Sequence, residues 1–219
     1  MNTKNNAHEI EGPLEQLFDD LVAQFQLDDL YDQTFYPYIA EFAALLPDGS
    51  KVLDAGCGIG GDTKKLLEHR LNVTGIDFSG AMIAKAHELI KEATFKKMDV
   101  MSLDFSDESF DGVWCSKILS HISIKKVGKA IDELARVLKK GGILCYAVLV
   151  DHNGGDGSEG VEERILEGGV HYKTFSRYYK KEELKNMCEK KGFTLLQTYP
   201  VHHMHENVDY TVRIFRKDS

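Results

Sequence analysis

The run Val52-Leu53-Asp54-Ala55-Gly56-Cys57-Gly58-Ile59-Gly60 places a carboxylate just ahead of a glycine-rich loop. The apolar residues before it read as a buried strand. Glycines at the end of such a strand let a cofactor lie against bare backbone, while the following helix offers its amides and positive dipole end. The acid decides which ligand fits. A carboxylate at position 54 repels a pyrophosphate and attracts a ligand that carries positive charge. Cys57, inside the loop, reads as a small packing residue and not a nucleophile, because no base stands beside it in sequence.

A second apolar run closes on Asp77, nineteen positions after Gly58, where an acid can accept both hydroxyls of a ribose. NAD-binding folds share that feature. A third run, Phe95 to Val100, carries Asp99, which is either the acceptor for adenine's exocyclic amine or a solvated turn acid. S-adenosylmethionine, with its ammonium, sulfonium, ribose and adenine, suits the whole series, whereas NAD suffers from Asp54. Phe78, directly after Asp77, either stacks on adenine or packs in the interior.

From about Tyr31 to the C-terminus, the sequence resembles the class I S-adenosylmethionine-dependent methyltransferases, in the small-molecule branch whose loop reads Asp-x-Gly-x-Gly-x-Gly. Phe110-Asp111-Gly112-Val113-Trp114 and Arg136-Val137-Leu138-Lys139-Lys140-Gly141-Gly142 fall at the family's usual spacing, with Lys140 where Pro is usual. The resemblance implies that Asp54, Gly56, Gly58 and Gly60 surround the methionine moiety, Asp77 the ribose, and Asp99 with Val100 the adenine. Ala55, Met82 and Ser116 are assigned to the same cofactor set. Tyr31 joins them, since a tyrosine ahead of the first strand is common in similar enzymes and aromatic faces attract a sulfonium. The implied fold is α/β: a Rossmann-like, doubly wound, seven-stranded sheet, mostly parallel with one antiparallel strand near the C-terminus, and helices on both faces. The implied product is S-adenosyl-L-homocysteine, and the acceptor is a small molecule methylated on O, N or S.

Methyl transfer is an in-line displacement that mainly needs the acceptor held at attack distance and stripped of water. A base is required only if the acceptor must lose a proton, and His121, His152 and His171 are the candidates. His121, seven positions after Trp114, falls just past the fourth strand; it is either that base or a helix-entry histidine bonded to backbone. The segment from Asp151 to Tyr179 is placed to roof the site, and within it His171, Tyr172 and Tyr178 are the candidate acceptor contacts. Phe35, Tyr36 and Tyr38 either close over the cofactor or pack in the core.

These residues need a scaffold. Leu14, Leu17, Phe18, Leu21, Val22 and Phe25 recur at helical spacing behind Pro13, and a second helix follows Pro37 through Ile39, Phe42 and Leu46. A helix to about His69 returns the chain for the strand that ends at Asp77, and Ser79 can cap the next, with Met82, Ile83, Ala86, Leu89 and Ile90 as its stripe. The clearest helix is Ser123 to Lys139, ended by Gly141, before a strand from Ile143 to Val150. A last helix ends at Gly192, and Thr194 to Tyr199 and Tyr210 to Arg216 alternate as an antiparallel pair. One domain is predicted over 1–219: a helical cap at 1–47, a cofactor-binding core at 48–150, and roof, last helix and closing strands at 151–219.

Composition narrows the partners. A formal net charge of -8 disfavours nucleic acid held by bulk electrostatics. Residues 171–191 run against that trend with Lys173, Arg177, Lys180, Lys181, Lys185, Lys190 and Lys191, read as a solvated face or, alternatively, a phosphate-binding patch for a protein or RNA terminus. Cysteines 57, 115, 145 and 188 suit reduced thiols, no zinc spacing is present, and Met1 to Gly12 lacks an apolar core, so a cytoplasmic protein without a membrane span is predicted, as monomer or homodimer. Cys115-Ser116-Lys117-Ile118 lacks the Asn/Asp-Pro-Pro-aromatic turn used on adenine or glutamine. No metal is predicted. For Mg²⁺, Asp151 and Asn153 lack a partner acid at the end of the fourth strand; for a Ca²⁺ loop with Glu162, Gly155-Asp156 stands in reversed order; and His202, His203 and His205 alternate faces and read as solvent-exposed. A non-catalytic sensor of the same cofactor is the rival from another class.

Overall fold

The computed structural model describes residues 19, 22, 33–150, 157–165, 171–204 and 207–218, with the side chains of 163–165 and 171–172 outside that description. The helix from Leu14 to Phe25 beyond Asp19 and Val22, Tyr31, Asp151, His152, Asn153 and His205 therefore lie outside the described residues. Seven strands form one sheet: β1 (Lys51–Ala55), β2 (Asn72–Asp77), β3 (Thr94–Lys97), β4 (Phe110–Ser116), β5 (Leu138–Leu149), β8 (Phe193–His203) and β9 (Val208–Lys217), in the order β3-β2-β1-β4-β5-β9-β8. The first five pair in parallel, and β9 runs antiparallel between β5 and β8. This is the Rossmann-like arrangement with one reversed strand. The remaining strands, β6 (Glu159–Ile165) and β7 (His171–Arg177), form a separate hairpin with Glu159 opposite Arg177.

Alternation along the strands sends successive residues to opposite faces, and each face has its own core. On one side Leu53, Val113, Cys115, Leu144, Tyr146 and Phe215 pack against α4 (Ile124–Val137) and α5 (Glu183–Glu189). On the other, Val52, Trp114, Cys145, Ala147 and Ile214 meet Phe35, Ile39 and Phe42 of the turn leading into α1 (Tyr36–Ala43) and of α1 itself, with Leu66 of α2 (Gly61–Glu68). Helix α3 (Gly80–Leu89) begins at Ser79, whose Oγ accepts from the Met82 amide at 3.1 Å. Among the described residues no helix is long and apolar enough to cross a membrane.

Three boundaries depart from the sequence expectation. Helix α4 stops at Val137, two residues early, because Leu138 turns extended and starts β5. The Lys217 ammonium then takes the carbonyls of Ala135 and Leu138 at 2.8 and 2.7 Å, satisfying the helix end from another strand. β5 consequently begins at Leu138 and not at Ile143. The roof segment, for which no strands were expected, contains the β6–β7 hairpin.

Candidate functional site

The glycine loop bends back over β2. The amides of Gly56 and Cys57 both donate to the Ile76 carbonyl, at 2.8 and 2.9 Å. Two glycines are required for different reasons. Gly60 has φ +97° and a Cβ there would meet Ile90 Cδ1 at 2.6 Å, so it serves packing as well as the turn. Gly58 has φ +52° and a Cβ there would meet nothing within 4 Å, so its bare face looks onto open space at the strand ends. That is where a ligand would lie.

Two buried acids stand on either side of this loop. Asp54 is 1% exposed and accepts the Thr63 hydroxyl at 2.5 Å. Burial, and then the negative charge of Asp62, push its carboxyl up to about 8. Asp77 accepts from the amides of Gly58 at 3.1 Å and Ser79 at 2.9 Å, yet burial still lifts it to about 6. Asp62, in the first turn of α2, accepts the Trp114 indole N–H at 2.7 Å. The half-buried Asp62 thus adds its charge beside two poorly solvated carboxyl groups, a condition that a cationic ligand relieves. Sequence reasoning missed Asp62, Thr63 and Trp114, although the first two directly follow the Gly60-Gly61 pair.

The other cofactor candidates divide. Ala55 and Met82 are buried; Met82 packs with Ile59 of the loop and with Val22. Asp19 accepts from the Ser79 hydroxyl and, at 3.2 Å, from the Ala81 amide, tying it to the start of α3. Phe78 is half-buried. Asp99 is exposed two residues past β3, with one carboxylate oxygen accepting the Met101 amide at 2.8 Å, which is turn chemistry; Val100 beside it is buried. Ser116 ends β4 with its Oγ buried and lacking a hydrogen-bond partner among the described residues. Cys57 is buried, and desolvation pushes its thiol well up, so it is inert as the sequence suggested.

His121 lies in the 3-10 turn Ile118–His121 that follows β4, and its Nδ1 is 2.8 Å from the Phe175 carbonyl of β7. A carbonyl can only accept, so Nδ1 carries the hydrogen and the neutral ring's basic nitrogen is Nε2. The ring is thus bonded to backbone through Nδ1. The hairpin is further held by Glu159, which accepts the Ile124 amide at 2.9 Å and pairs with Arg177 at 3.2 Å. Tyr178, beyond β7, donates its hydroxyl to the Glu162 carboxylate at 3.1 Å. His171 and Tyr172 pair with Ile165 and Arg164 through their backbones, their side chains lying outside the described set. Phe35 is core at 1% exposure, while Tyr36 and Tyr38 are half-buried against the same cluster.

One expectation needs correction. His202 is exposed and pairs with Asp209 at 2.6 Å, but His203 is 4% exposed, packed against Phe35 and Tyr210. The strand alternation that separates the two also buries the second. Among the described residues there is no cluster of three or more His, Cys, Asp or Glu able to hold a metal ion.

Residues 52–142 match the family described as the methyltransferase domain. A 2-methyl-6-phytyl-1,4-hydroquinone methyltransferase of Synechocystis sp. is 44% identical over 106 residues, 47% of this chain and 33% of that protein. The matches span a third to a half of the length of these curated relatives. Among solved structures, the 1,6-didemethyltoxoflavin-N1-methyltransferase of Burkholderia thailandensis, bound to 1,6-didemethyltoxoflavin and S-adenosylhomocysteine, has a TM-score of 0.78 at 22% identity, covering 100% of this chain and 94% of that one. The cyclase SpnF has a TM-score of 0.73 at 22% identity, covering 95% and 96%. Residues 52–142 therefore resemble a methyltransferase domain. Beyond residues 52–142 the solved structures establish the fold.

Proposed function

We propose that the protein is an S-adenosylmethionine-dependent methyltransferase acting on an O, N or S atom of a small-molecule acceptor in the cytoplasm. The observation that carries this reading is the pair of buried carboxyl groups, Asp54 and Asp77, with the half-buried Asp62 acting on Asp54, around a loop whose Gly58 faces open space. Since the similar folds include a cyclase, methyl transfer is argued from this site and not from the fold alone.

The residues fit the cofactor. Asp77 would take the ribose, Asp54 with the Gly56–Gly60 loop the charged methionine end, Ser116 Oγ a polar group there, and Met82, Phe78 and Val100 the adenine side. Asp99 is the weakest member, because its exposed carboxylate already closes a turn. The sulfonium supplies an electrophilic methyl carbon and leaves as a thioether. The chain's part is to exclude water and aim the acceptor; where the acceptor loses a proton, His121 Nε2 takes it, with the Phe175 carbonyl holding the imidazole in the required tautomer. The β6–β7 hairpin, with Tyr178 just beyond it, forms the acceptor side.

The alternative of a protein or RNA terminus as acceptor needs an open basic patch on 171–191. Arg177 is instead 4% exposed between Glu159 and Glu183, Lys185 pairs with Glu182 and Glu189, and Lys191 pairs with Asp132. Those pairs speak for a solvated structural face. The test is calorimetric titration with S-adenosylmethionine, S-adenosylhomocysteine and NAD in parallel. Micromolar binding of the first two without NAD supports the proposal, and binding of NAD alone overturns it.

A further inference from the structure

The turn that carries Asp77 is braced by a residue from an earlier part of the chain. Ser79, fully buried, caps α3 by accepting the Met82 amide at 3.1 Å, and its own amide donates to Asp77 at 2.9 Å. Its hydroxyl therefore accepts on one side, and burial denies its proton a water partner on the other. Asp19, 60 positions earlier, supplies the acceptor. One of its carboxylate oxygens takes both the Ser79 hydroxyl and, at 3.2 Å, the Ala81 amide, a helix-start donor with no partner inside α3. Asp77 in turn accepts the Gly58 amide at 3.1 Å, so one line of hydrogen bonds runs from Asp19 through Ser79 and Asp77 to the glycine loop. Three positions beyond Asp19, Val22 packs on Ile59 of that loop and on Met82 of α3. Asp19 thus holds the first turn of α3, and Val22 holds that turn against the loop.

We infer that Asp19 is a positioning residue of the cofactor site: its carboxylate fixes the Ser79 hydroxyl and the first turn of α3, and through them the orientation of Asp77. The inference rests on the methyltransferase reading above, in which Asp77 takes the ribose. Asp19 itself is assigned no cofactor atom and acts through Ser79 and Ala81. Hydrogen bonds weaken steeply with angle, so a turn free to rotate presents Asp77 to the ribose for only part of the time, and affinity falls by that fraction. The role belongs to the two hydrogen bonds and not to the charge. Burial chiefly, and the Asp19 charge to a lesser extent, lift the Asp77 carboxyl to about 6, so the charge works against an ionised Asp77. An amide oxygen at position 19 would accept the same two donors.

The test measures S-adenosylhomocysteine affinity by calorimetry on the full chain in the wild type, Asp19→Ala and Asp19→Asn, with urea unfolding of each ligand-free protein to establish that it is folded. The expected result is a loss of roughly fivefold or more in Asp19→Ala, while Asp19→Asn, which keeps the acceptor, stays within about twofold of the wild type. A smaller loss in Asp19→Ala would overturn the inference, leaving Asp19 an anchor for its own segment alone. An equal loss in the two variants would overturn it as well, because the charge and not the hydrogen bonds would then matter. Should Asp19→Ala fail to fold, Ala81→Pro deletes one of the two donors in a first helical turn that tolerates proline, and should lower the affinity roughly threefold or more. Unchanged affinity there would overturn the inference. Failure of the wild type to bind S-adenosylhomocysteine would instead sink the methyltransferase reading beneath it.

Discussion

Replacing Asp54 by asparagine should stabilise the ligand-free protein and weaken its cofactor binding in the same stroke. The carboxamide of Asp54→Asn can still accept the Thr63 hydroxyl, so the substitution removes charge and keeps shape. In the folded chain the Asp54 carboxyl is held up to about 8 against an ordinary value of 3.8. The folded state therefore binds the proton more tightly than the unfolded chain, and the stability it contributes is complete below 3.8 and lost as pH rises through about 8. Between pH 6 and 8, Asp77 has mostly ionised and Asp54 is still giving up its proton. At about 1.4 kcal/mol per pH unit, the wild type should lose about 2–3 kcal/mol over that interval relative to Asp54→Asn. Groups common to both proteins cancel in the difference. Urea unfolding at pH 6, 7 and 8 reads the stability. Trp114, the single tryptophan, donates to Asp62 beside Asp54, so its fluorescence reads cofactor binding. Because a cation selects the ionised carboxylate, S-adenosylmethionine affinity should rise with pH, by up to roughly tenfold per unit below pH 8, and about one proton should be released at pH 7. Parallel stability curves for the two proteins, or binding without proton release, would refute the assignment of Asp54 as a strained acid relieved by the cofactor.

Asp77→Ala removes the acceptor of the Gly58 and Ser79 amides as well as the proposed ribose contact, so S-adenosylhomocysteine affinity should fall roughly thirtyfold, about 2 kcal/mol, by calorimetry. Gly60→Ala and Gly58→Ala should separate packing from binding. The first forces a methyl group onto Ile90 at a strained φ and should cost about 2–3 kcal/mol in urea; the second meets open space and should cost about 1 kcal/mol while abolishing measurable cofactor binding. His121→Gln can still donate to the Phe175 carbonyl but has no base, so with an acceptor that must lose a proton, turnover should fall roughly 10²-fold or more at unchanged cofactor affinity. Full turnover in that variant would mean that positioning alone suffices.

The strand, glycine loop and buried acids of the candidate site were legible because they are local in the chain. Asp54, the glycines and the first turn of α2 are consecutive, and Asp77 falls one strand later, so strand, turn and helix signals place them without any long-range information. The alternating elements also implied the parallel sheet, and the two closing strands its reversed member. What was misjudged depends on distant partners. The end of α4 is satisfied by Lys217, and His203 is buried because Phe35 and Tyr210 come to meet it. The hairpin had a sequence signal, Gly168-Gly169 between two alternating runs, that went unused.

The order of elements, the glycine loop and its neighbouring acids follow from the sequence alone, since strand-loop-helix geometry depends on residues a few positions apart. Only the tertiary structure decided which charges share a dry space and which way the reactive side chains face. The charge of Asp62 acts on the buried Asp54, His121 takes its tautomer from a carbonyl 54 positions on, and Lys117 leans on Phe35 from across the chain. Desolvation and ring orientation are properties of the packed interior, where the surroundings of a group are set by whichever segments fold onto it.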